Sequence, residues 1–263
     1  MEIKDKVIWV TGGNSGLGLA AAQYFIKEGA KVMITARRRE LLEKCADEMG
    51  DNCIWFSADN TKLDELKAAV KFCVDTFGRL DVLLNSAGAG SNARIVAEDS
   101  TTDEDSVQWD STIALNLTGS FNTARLAVNE MQKNEPNEHG ERGVILLVSS
   151  INADKIGTGG MTAYAASKAG VLGLVNEAGV SLGEHGIRIV AVQPGIFTTP
   201  LVDIPHPAYD YMRNLFTSRN CMPKGVGPAF EGNPEMFASL CGEIVQNWCI
   251  TRTSIKIDNG YVG

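Results

Sequence analysis

The chain has 263 residues, of which 44% are hydrophobic and 21% charged, and its net charge is −8. These values are typical of one large α/β domain, so we expect a single domain over residues 1–263, although two small domains would also fit the length. The acidic balance argues against a nucleic-acid partner, because Lys and Arg cluster only at residues 37–39. No apolar run is long enough to cross a bilayer and no signal peptide is visible, which predicts a cytoplasmic protein without a membrane partner.

The cysteines and histidines form no recognisable metal or disulfide pattern. Six cysteines are scattered without a Cys-x-x-Cys pair, as is typical of reduced thiols in a cytosolic protein. The three histidines are far apart in the sequence and lack neighbouring residues of the kind that bind metals. We therefore expect no metal site.

Apolar, strand-like runs alternate with helical patterns along most of the chain. The predicted strands are residues 7–10, 31–35, 53–57, 80–84, 144–149, 188–192 and 254–257. The predicted helices are residues 19–27, 39–49, 63–77, 106–132, 161–182 and 234–247. Strands that are apolar throughout and joined by helices indicate a parallel sheet covered on both faces. The predicted fold class is α/β, a Rossmann-type doubly wound parallel sheet of about seven strands.

The segment at residues 200–233 departs from this alternation. It is rich in proline and glycine and contains at most one short helix, at residues 208–216. Long loops of this kind commonly form lids or binding loops, so we predict a substrate lid here. Its apolar and aromatic side chains would suit a pocket for an acyl chain or a ring system, or else ordinary core packing.

A glycine-rich turn lies between the first predicted strand and the first predicted helix. Glycines at this place let the backbone approach a pyrophosphate, whose charge is stabilised by the helix N-terminus. The spacing is Gly-x-x-x-Gly-x-Gly, which a structural tight turn could also adopt. The candidate cofactor-binding residues in this turn are Gly12, Asn14, Ser15, Gly16, Leu17 and Gly18.

Arg37 follows the second predicted strand, where NAD-binding proteins commonly carry an acidic residue for the adenosine ribose. No carboxylate stands there in this chain. An arginine accommodates a 2′-phosphate by bidentate contact, which favours NADP(H) over NAD(H). The alternative is that the three arginines solvate the start of the next helix.

Polar residues also follow the third and fourth predicted strands. Asp59, with Asn60 beside it, is placed to accept a hydrogen bond from an adenine amino group. The stretch Asn85-Ser86-Ala87-Gly88 offers small residues where a cofactor would pass close to the backbone, with Asn85, Ala87 and Gly88 as candidates. These residue types are also the usual turn formers, so turn chemistry is the alternative.

Tyr164 and Lys168 are four positions apart within a predicted helix, so they lie on one face. An ammonium beside a phenol favours the phenolate, and such a pair can move a proton near neutral pH. The spacing alone is common on solvated helices. The surrounding motifs favour a catalytic role for this pair, because a serine pair ends the strand upstream and Pro194-Gly195 ends the strand downstream.

With these motifs in this order, the chain resembles a short-chain dehydrogenase/reductase over essentially its whole length. The stretches at residues 132–136, 140–145 and 194–201 further resemble the branch of type-2 3-hydroxyacyl-CoA dehydrogenases and hydroxysteroid dehydrogenases. The resemblance implies that Tyr164 is the general acid/base and that Lys168 assists it and binds the nicotinamide ribose. It also implies that Ser150 holds the substrate oxygen and that Asn116 holds a water in the proton relay.

The resemblance places the nicotinamide end of the cofactor at the end of the sixth strand. Thr199 and the backbone near Phe197 would orient the carboxamide, next to Pro194 and Gly195. Two features depart from the family pattern. The family usually places its serine 13 residues before the tyrosine, whereas Ser150 precedes Tyr164 by 14 residues and Ser149 by 15. Alignment of the strand ends favours Ser150, with one extra residue in the loop at residues 151–161. Arg37 stands where this branch, which typically uses NAD(H), would carry an acid, so the cofactor is left open between NAD(H) and NADP(H).

The leading hypothesis is an NAD(P)-dependent oxidoreductase acting on a secondary alcohol or ketone, with a 3-hydroxyacyl-CoA thioester as a candidate substrate. Two alternatives remain: a catalytically weak structural subunit of a hetero-oligomer, and a reductase of steroid or xenobiotic carbonyls. Family members are usually dimers or tetramers. We therefore expect a homodimer or homotetramer built through residues 106–132 and 161–182, with a hetero-oligomer as the alternative.

Overall fold

The computed structural model describes residues 1–91, 93, 95, 102–154, 160–199 and 232–260. These residues form a seven-stranded parallel sheet in the order β3-β2-β1-β4-β5-β6-β7. The strands are β1 (Val7–Thr11), β2 (Lys31–Ala36), β3 (Cys53–Ser57), β4 (Val82–Asn85), β5 (Gly143–Val148), β6 (Ile187–Pro194) and β7 (Thr253–Ile257). The predicted α/β class with a doubly wound parallel sheet is confirmed, and the strands differ from their predicted bounds by at most two residues at either end.

Helices cover both faces of the sheet. They are α1 (Gly16–Lys27), α2 (Arg39–Met49), α3 (Leu63–Phe77), α4 (Thr102–Ile113), α5 (Gly119–Met131), α6 (Thr162–Glu184) and α7 (Pro234–Gln246). The long helix predicted at residues 106–132 is interrupted by a π-helical turn at Ala114–Thr118, which separates α4 from α5. A short 3₁₀ turn, Ile151–Ala153, follows β5.

The sheet separates two apolar cores, because successive side chains on a strand point to opposite faces. Ile8 and Val10 of β1 pack with α1, α2 and α7. Val7 and Trp9 pack with α3, α5 and α6 on the other face. Burying each side chain of this size contributes about 1.5–3 kcal/mol, so the sheet is a rigid platform for the loops that leave it.

The parallel strands end at one common edge, where the polar candidate residues lie. Thr11 at the end of β1 pairs in register with Asn85 of β4, and Val148 of β5 pairs with Val192 of β6. The strand order reverses between β1 and β4. In open α/β sheets, ligands bind outside the carboxyl ends of the strands at such a reversal.

Several sequence predictions fall on the rest of the chain. The predicted lid at residues 200–233 and its helix at residues 208–216 lie outside the described residues, except for Gly232 and Asn233. Where the chain is described, no helix is both long and apolar enough to span a bilayer. The same residues bring no three His, Cys, Asp or Glu side chains together as a metal site would require.

Candidate active site

The glycine-rich turn joins β1 to the N-terminus of α1. Gly12 and Gly16 have positive φ angles of 67° and 54°, a conformation that favours glycine. A Cβ atom at Gly18 would clash with the carbonyl oxygen of Gly12, so α1 packs directly against the turn. Ser15 precedes the helix in an extended conformation, and its side chain caps none of the helix N–H groups. The first N–H groups of α1 therefore remain as donors for an anion.

Asn14 adds a side-chain donor to the same turn. Its side chain is buried, and its Nδ2 atom has no hydrogen-bond partner in the described part of the chain. A buried amide nitrogen normally donates to an acceptor, because leaving it unpaired costs about 1–3 kcal/mol. An anionic or hydroxyl-bearing ligand at the turn would satisfy this donor.

Arg37 and Asp59 follow β2 and β3 at the same edge of the sheet. Asp59 Oδ1 accepts hydrogen bonds from the N–H and the hydroxyl of Thr61, both at 2.8 Å. Burial pushes the pKa of Asp59 upward, but the Thr61 hydrogen bonds and the positive charges of Arg37 and Lys62 outweigh it, so the pKa lies below its usual value. Asp59 is therefore a carboxylate at neutral pH, within the field of the exposed Arg37 guanidinium.

The three consecutive arginines have different surroundings. The guanidinium carbon of Arg39 lies 5.2 Å from the ring centroid of Trp55, so Arg39 packs against β3. Arg38 is the residue that precedes α2. The carbonyl oxygen of Arg37 accepts a hydrogen bond from Ser57 Oγ at 3.2 Å, which fixes the backbone of Arg37 at the sheet edge. The sheet edge therefore holds the backbone of Arg37, whereas the side chain of Arg39 packs on β3.

Asn85, at the end of β4, is the centre of a buried hydrogen-bond network. Its amide oxygen accepts from Thr11 Oγ1 at 2.8 Å, and from Asn60 Nδ2 and Thr123 Oγ1 at 3.1 Å each. Its amide nitrogen donates to Ser120 Oγ at 2.8 Å. These bonds connect β1, β4, α5 and the turn before α3. The side chains of Asn85 and Asn60 therefore hold the turns of the site in place from beneath.

Asn116 lies in the π-helical turn and is completely buried. Its Oδ1 accepts from the N–H of Ala89 at 3.0 Å, and its Nδ2 donates to the carbonyl of Ala89 at 3.0 Å and to Ser167 Oγ at 3.1 Å. A π turn inserts one residue into an α-helix and is frequent at functional sites. Here it places the Asn116 amide between the loop after β4 and helix α6.

Lys168 is a buried cation at the centre of the candidate site. Its Nζ donates to the carbonyl oxygen of Val148 at 2.8 Å and lies 5.8 Å from the ring centroid of Tyr164. Burial lowers the pKa of Lys168 from 10.5 to about 8. A Cβ atom at Gly88 would lie 3.2 Å from both Lys168 Nζ and Asn116 Oδ1, so the glycine lets these two groups converge.

The two serines after β5 have separate roles. Ser149 Oγ is buried and donates to the carbonyl oxygen of Lys168 at 2.7 Å, which ties β5 to α6. Ser150 Oγ accepts from the N–H of Asn152 at 3.1 Å and caps the 3₁₀ turn. Asn152 Nδ2 lies 3.9 Å from Met161 Sδ, which brings this turn next to the start of α6. The Ser149 hydroxyl is therefore held tightly within the fold, whereas the Ser150 hydroxyl donates a long hydrogen bond of 3.5 Å to Asn152 Oδ1, which favours Ser150 as the serine of the site.

The loop after β6 approaches the glycine-rich turn. The Thr199 side chain would lie 3.4 Å from a Cβ atom at Gly16, so this loop covers the N-terminus of α1. Phe197 is buried, and its ring centroid lies 6.2 Å from that of Phe237, which leaves only its backbone for the site. A Cβ atom at Gly195 would lie 2.8 Å from the Cα atom of the residue after β7, so the loop is also closely packed at its base.

Comparison with protein families identifies this arrangement. A family model of short chain dehydrogenases matches residues 6–206, which is more than half of the chain. The chain belongs to the short-chain dehydrogenase/reductase family. It is an NAD(P)-dependent oxidoreductase of that family, as the sequence predicted.

Relatives extend this similarity over nearly the full length. The 3-hydroxyacyl-CoA dehydrogenase type-2 of Bos taurus is 34% identical over 261 residues, covering 98% of this chain and 95% of that protein. The short-chain dehydrogenase reductase 3c of Arabidopsis thaliana is 36% identical over 262 residues, covering 99% and 96%. The crystal structure of 3-hydroxyacyl-CoA dehydrogenase type-2 from Mycobacterium avium is 31% identical and has a TM-score of 0.87, with coverage of 100% and 97%. The predicted family branch is confirmed.

The sequence analysis did not identify the polar residues that support the candidate site residues through hydrogen bonds and ion pairs. Gln193, Asp154 and Lys256 form a chain of contacts next to Ser150. The available signal was Gln193, a polar residue near the carboxyl end of strand β6. Ser167, which anchors Asn116, was also overlooked, because a buried serine in a helix has no distinctive pattern.

Proposed function

We propose that this dehydrogenase transfers a hydride between a nicotinamide cofactor and a secondary alcohol or ketone, with 3-hydroxyacyl-CoA thioesters as the leading substrate class. The observation that most supports the chemistry is the Lys168 ammonium, buried at the sheet edge beside the ring of Tyr164. The substrate class is suggested by the relatives from Bos taurus and Mycobacterium avium, which carry the name 3-hydroxyacyl-CoA dehydrogenase type-2.

The site residues fit a dinucleotide. The glycine turn leaves unused donors at the N-terminus of α1, including Asn14 Nδ2, which has no partner among the described residues. The proposed cofactor-binding residues are Gly12, Asn14, Ser15, Gly16, Leu17, Gly18, Arg37, Asp59, Asn60, Asn85, Ala87, Gly88, Tyr164, Lys168, Pro194, Gly195, Phe197 and Thr199. When bound, the nicotinamide supplies or accepts the hydride, while the chain supplies position and the proton. Among these residues, Asn85 and Asn60 would act by holding the turns, since their amides are engaged with each other.

Tyr164 would exchange the proton with the substrate oxygen. The Lys168 ammonium favours the phenolate form of Tyr164, so the tyrosine can accept a proton during alcohol oxidation and return it during carbonyl reduction. The Val148 carbonyl holds Lys168 Nζ at 2.8 Å, so the charge has a fixed position relative to α6. Lys168 would also bind the nicotinamide ribose.

Ser150 and Asn116 would complete the proposed catalytic set. The Ser150 hydroxyl lies at the carboxyl end of β5 and would donate a hydrogen bond to the substrate oxygen. Asn116 would hold a water that connects Lys168 to solvent, and its amide is fixed beside Lys168 by Ala89 and Ser167. Such fixed donors lower the barrier because they need no rearrangement as charge develops on the substrate.

NADP(H) is the proposed cofactor. Arg37 is exposed, its backbone is held at the end of β2, and its charge acts on Asp59. A guanidinium in this position can bind a 2′-phosphate through two charged hydrogen bonds. The neighbouring carboxylate of Asp59 is left for the adenine.

A homo-oligomer formed through α5 and α6 is also proposed. These helices border a largely apolar groove that includes Leu117, Gly170 and Leu174. Phe121 and Val180, also at this groove, are 49% and 54% exposed. Large apolar side chains grouped on one surface are typical of subunit interfaces.

A cytoplasmic location is proposed as well, since the five cysteines in the described part of the chain form no disulfide bond.

Tyr164→Phe removes the phenolic proton and keeps the ring. We expect turnover to fall about 10²–10⁴-fold, the usual contribution of a general acid/base, with cofactor affinity retained. Steady-state rates and titration of nicotinamide fluorescence measure the two quantities. Tyr24→Phe, on α1, is the matched control and should keep full activity. Turnover of Tyr164→Phe at the wild-type rate would rule out the mechanism.

Arg37→Ala tests the choice of cofactor. Loss of a charged hydrogen bond of about 1.5–3 kcal/mol should weaken NADPH binding roughly 10–100-fold and leave NADH binding nearly unchanged. Fluorescence titrations with both cofactors give the comparison. Arg38→Ala removes the same charge at the neighbouring position and should change neither the NADPH affinity nor the NADH affinity. Equal weakening of NADPH and NADH binding, or tighter NADH binding by the wild type, would contradict the proposal.

Phe121→Asp tests the subunit interface. A carboxylate at this position should dissociate the oligomer, because the apolar contacts of the ring are lost and the charge would have to leave water for the interface. Size-exclusion chromatography with light scattering gives the mass. Phe72→Asp, at a 38% exposed position on α3, is the control and should leave the mass unchanged. A monomeric wild type would show that the interface does not exist.

A further inference from the structure

A row of polar residues crosses three adjacent strands beside Ser150. Ser150 follows β5, Gln193 lies near the end of β6, and Lys256 lies in β7. Gln193 and Lys256 are direct partners in the register of β6 and β7. Val148 of β5 pairs in register with Val192 of β6, so Gln193 lies next to the residues that follow β5.

Gln193 connects both ends of the 3₁₀ turn that Ser150 caps. It is fully buried, and its Nε2 donates to the carbonyl oxygen of Ser150 at 3.2 Å and to Asp154 Oδ1 at 3.1 Å. The opposite amide orientation would point a carbonyl oxygen at these two acceptors, so the contacts fix the orientation of the side chain. The N–H of Ala153 also donates to the Ser150 carbonyl, at 3.0 Å.

Lys256 extends the contact chain to the edge of the sheet. Its Nζ lies 2.9 Å from Asp154 Oδ2, and the two side chains are 35% and 39% exposed. An ion pair this exposed contributes little to stability, about 0–1 kcal/mol. Its effect is geometric, since it orients the carboxylate toward Gln193.

We propose that Gln193, Asp154 and Lys256 are positioning residues that hold the Ser150 hydroxyl at the substrate oxygen; this inference rests on the proposed function. The turn needs such support because the loop from Ser150 to Tyr164 is one residue longer than the family pattern. Gln193 and Lys256 belong to β6 and β7, so they support the turn from outside this loop. Together, the three side chains clamp both ends of the turn that carries the Ser150 hydroxyl.

Asp154→Ala is the main variant, since its partly exposed side chain can be removed without opening the core. A displaced hydroxyl should lower kcat about 10-fold or more. Cofactor affinity and the pH dependence of the rate should stay unchanged, because Tyr164 and Lys168 are not touched. Asp154→Asn keeps the Oδ1 acceptor and should restore most of kcat. Gln193→Met should lower kcat further, and Lys256→Met should have the smallest effect.

The control is Asp75→Ala, which breaks the Lys71–Asp75 ion pair of 2.6 Å on α3 and should leave kcat unchanged. Wild-type kcat in Asp154→Ala would overturn the proposal. A parallel fall in kcat and cofactor affinity would overturn it too, since it would indicate general structural damage.

Hydrogen exchange separates this inference from the proposed function. Amides of residues 151–154 should exchange faster in Asp154→Ala, while those of β6 and α6 keep their wild-type rates. If the wild type shows no turnover on a panel of alcohols and ketones with either cofactor, the proposed function fails. The exchange rates then still decide the inference, and unchanged rates at residues 151–154 would overturn it.

Discussion

The site depends on a positive charge buried at the carboxyl edge of the sheet. Desolvation lowers the pKa of Lys168 to about 8, so the ammonium is held at a cost that the fold must offset. The Val148 carbonyl, the face of Tyr164 and the gap at Gly88 together make this possible. The folded state releases this proton more readily than the unfolded chain. The free-energy cost that the buried Lys168 ammonium adds to folding is therefore largest below pH 8, and it falls as pH rises toward 10.5.

Buried hydrogen bonds around this charge form a continuous polar layer under the loops. Asn85 links Thr11, at the end of β1, to α5 through Ser120, whose hydroxyl also donates to the Asn116 carbonyl at 2.6 Å. Asn116 in turn contacts α6 through Ser167. A fully satisfied network of this kind gives the turns one arrangement. The glycine turn, Asn116 and Lys168 are therefore positioned by the same layer.

Local pattern predicted most of the fold. Helices α2 and α3 and strand β3 match their predicted bounds, since apolar periodicity and flanking glycines mark them within a few residues. The order of the glycine motif, Asn116, Ser150 and Tyr164/Lys168 predicted the family. The π turn at Asn116 was not predictable, because it depends on contacts with Ala89 and Ser167, which are distant in sequence.

Two features of the site depend on contacts between residues that are distant in the sequence. The choice between Ser149 and Ser150 was an alignment inference, and the hydrogen bond from Ser149 to the Lys168 carbonyl gives it a physical basis. The support from Gln193 depends on the register of three strands and on a loop carboxylate. The glutamine is visible in the sequence, but its contacts with Ser150 and Asp154 are not.

The central claim is that the Lys168 ammonium makes Tyr164 an acid/base near neutral pH. The most direct test is the pH dependence of alcohol oxidation by the wild type and by Lys168→Met, measured at saturating cofactor. The rate should rise as Tyr164 loses its proton. Its apparent pKa should lie well below the ordinary phenol value of about 10 in the wild type and move toward that value in Lys168→Met. The same apparent pKa in both proteins would contradict the claim.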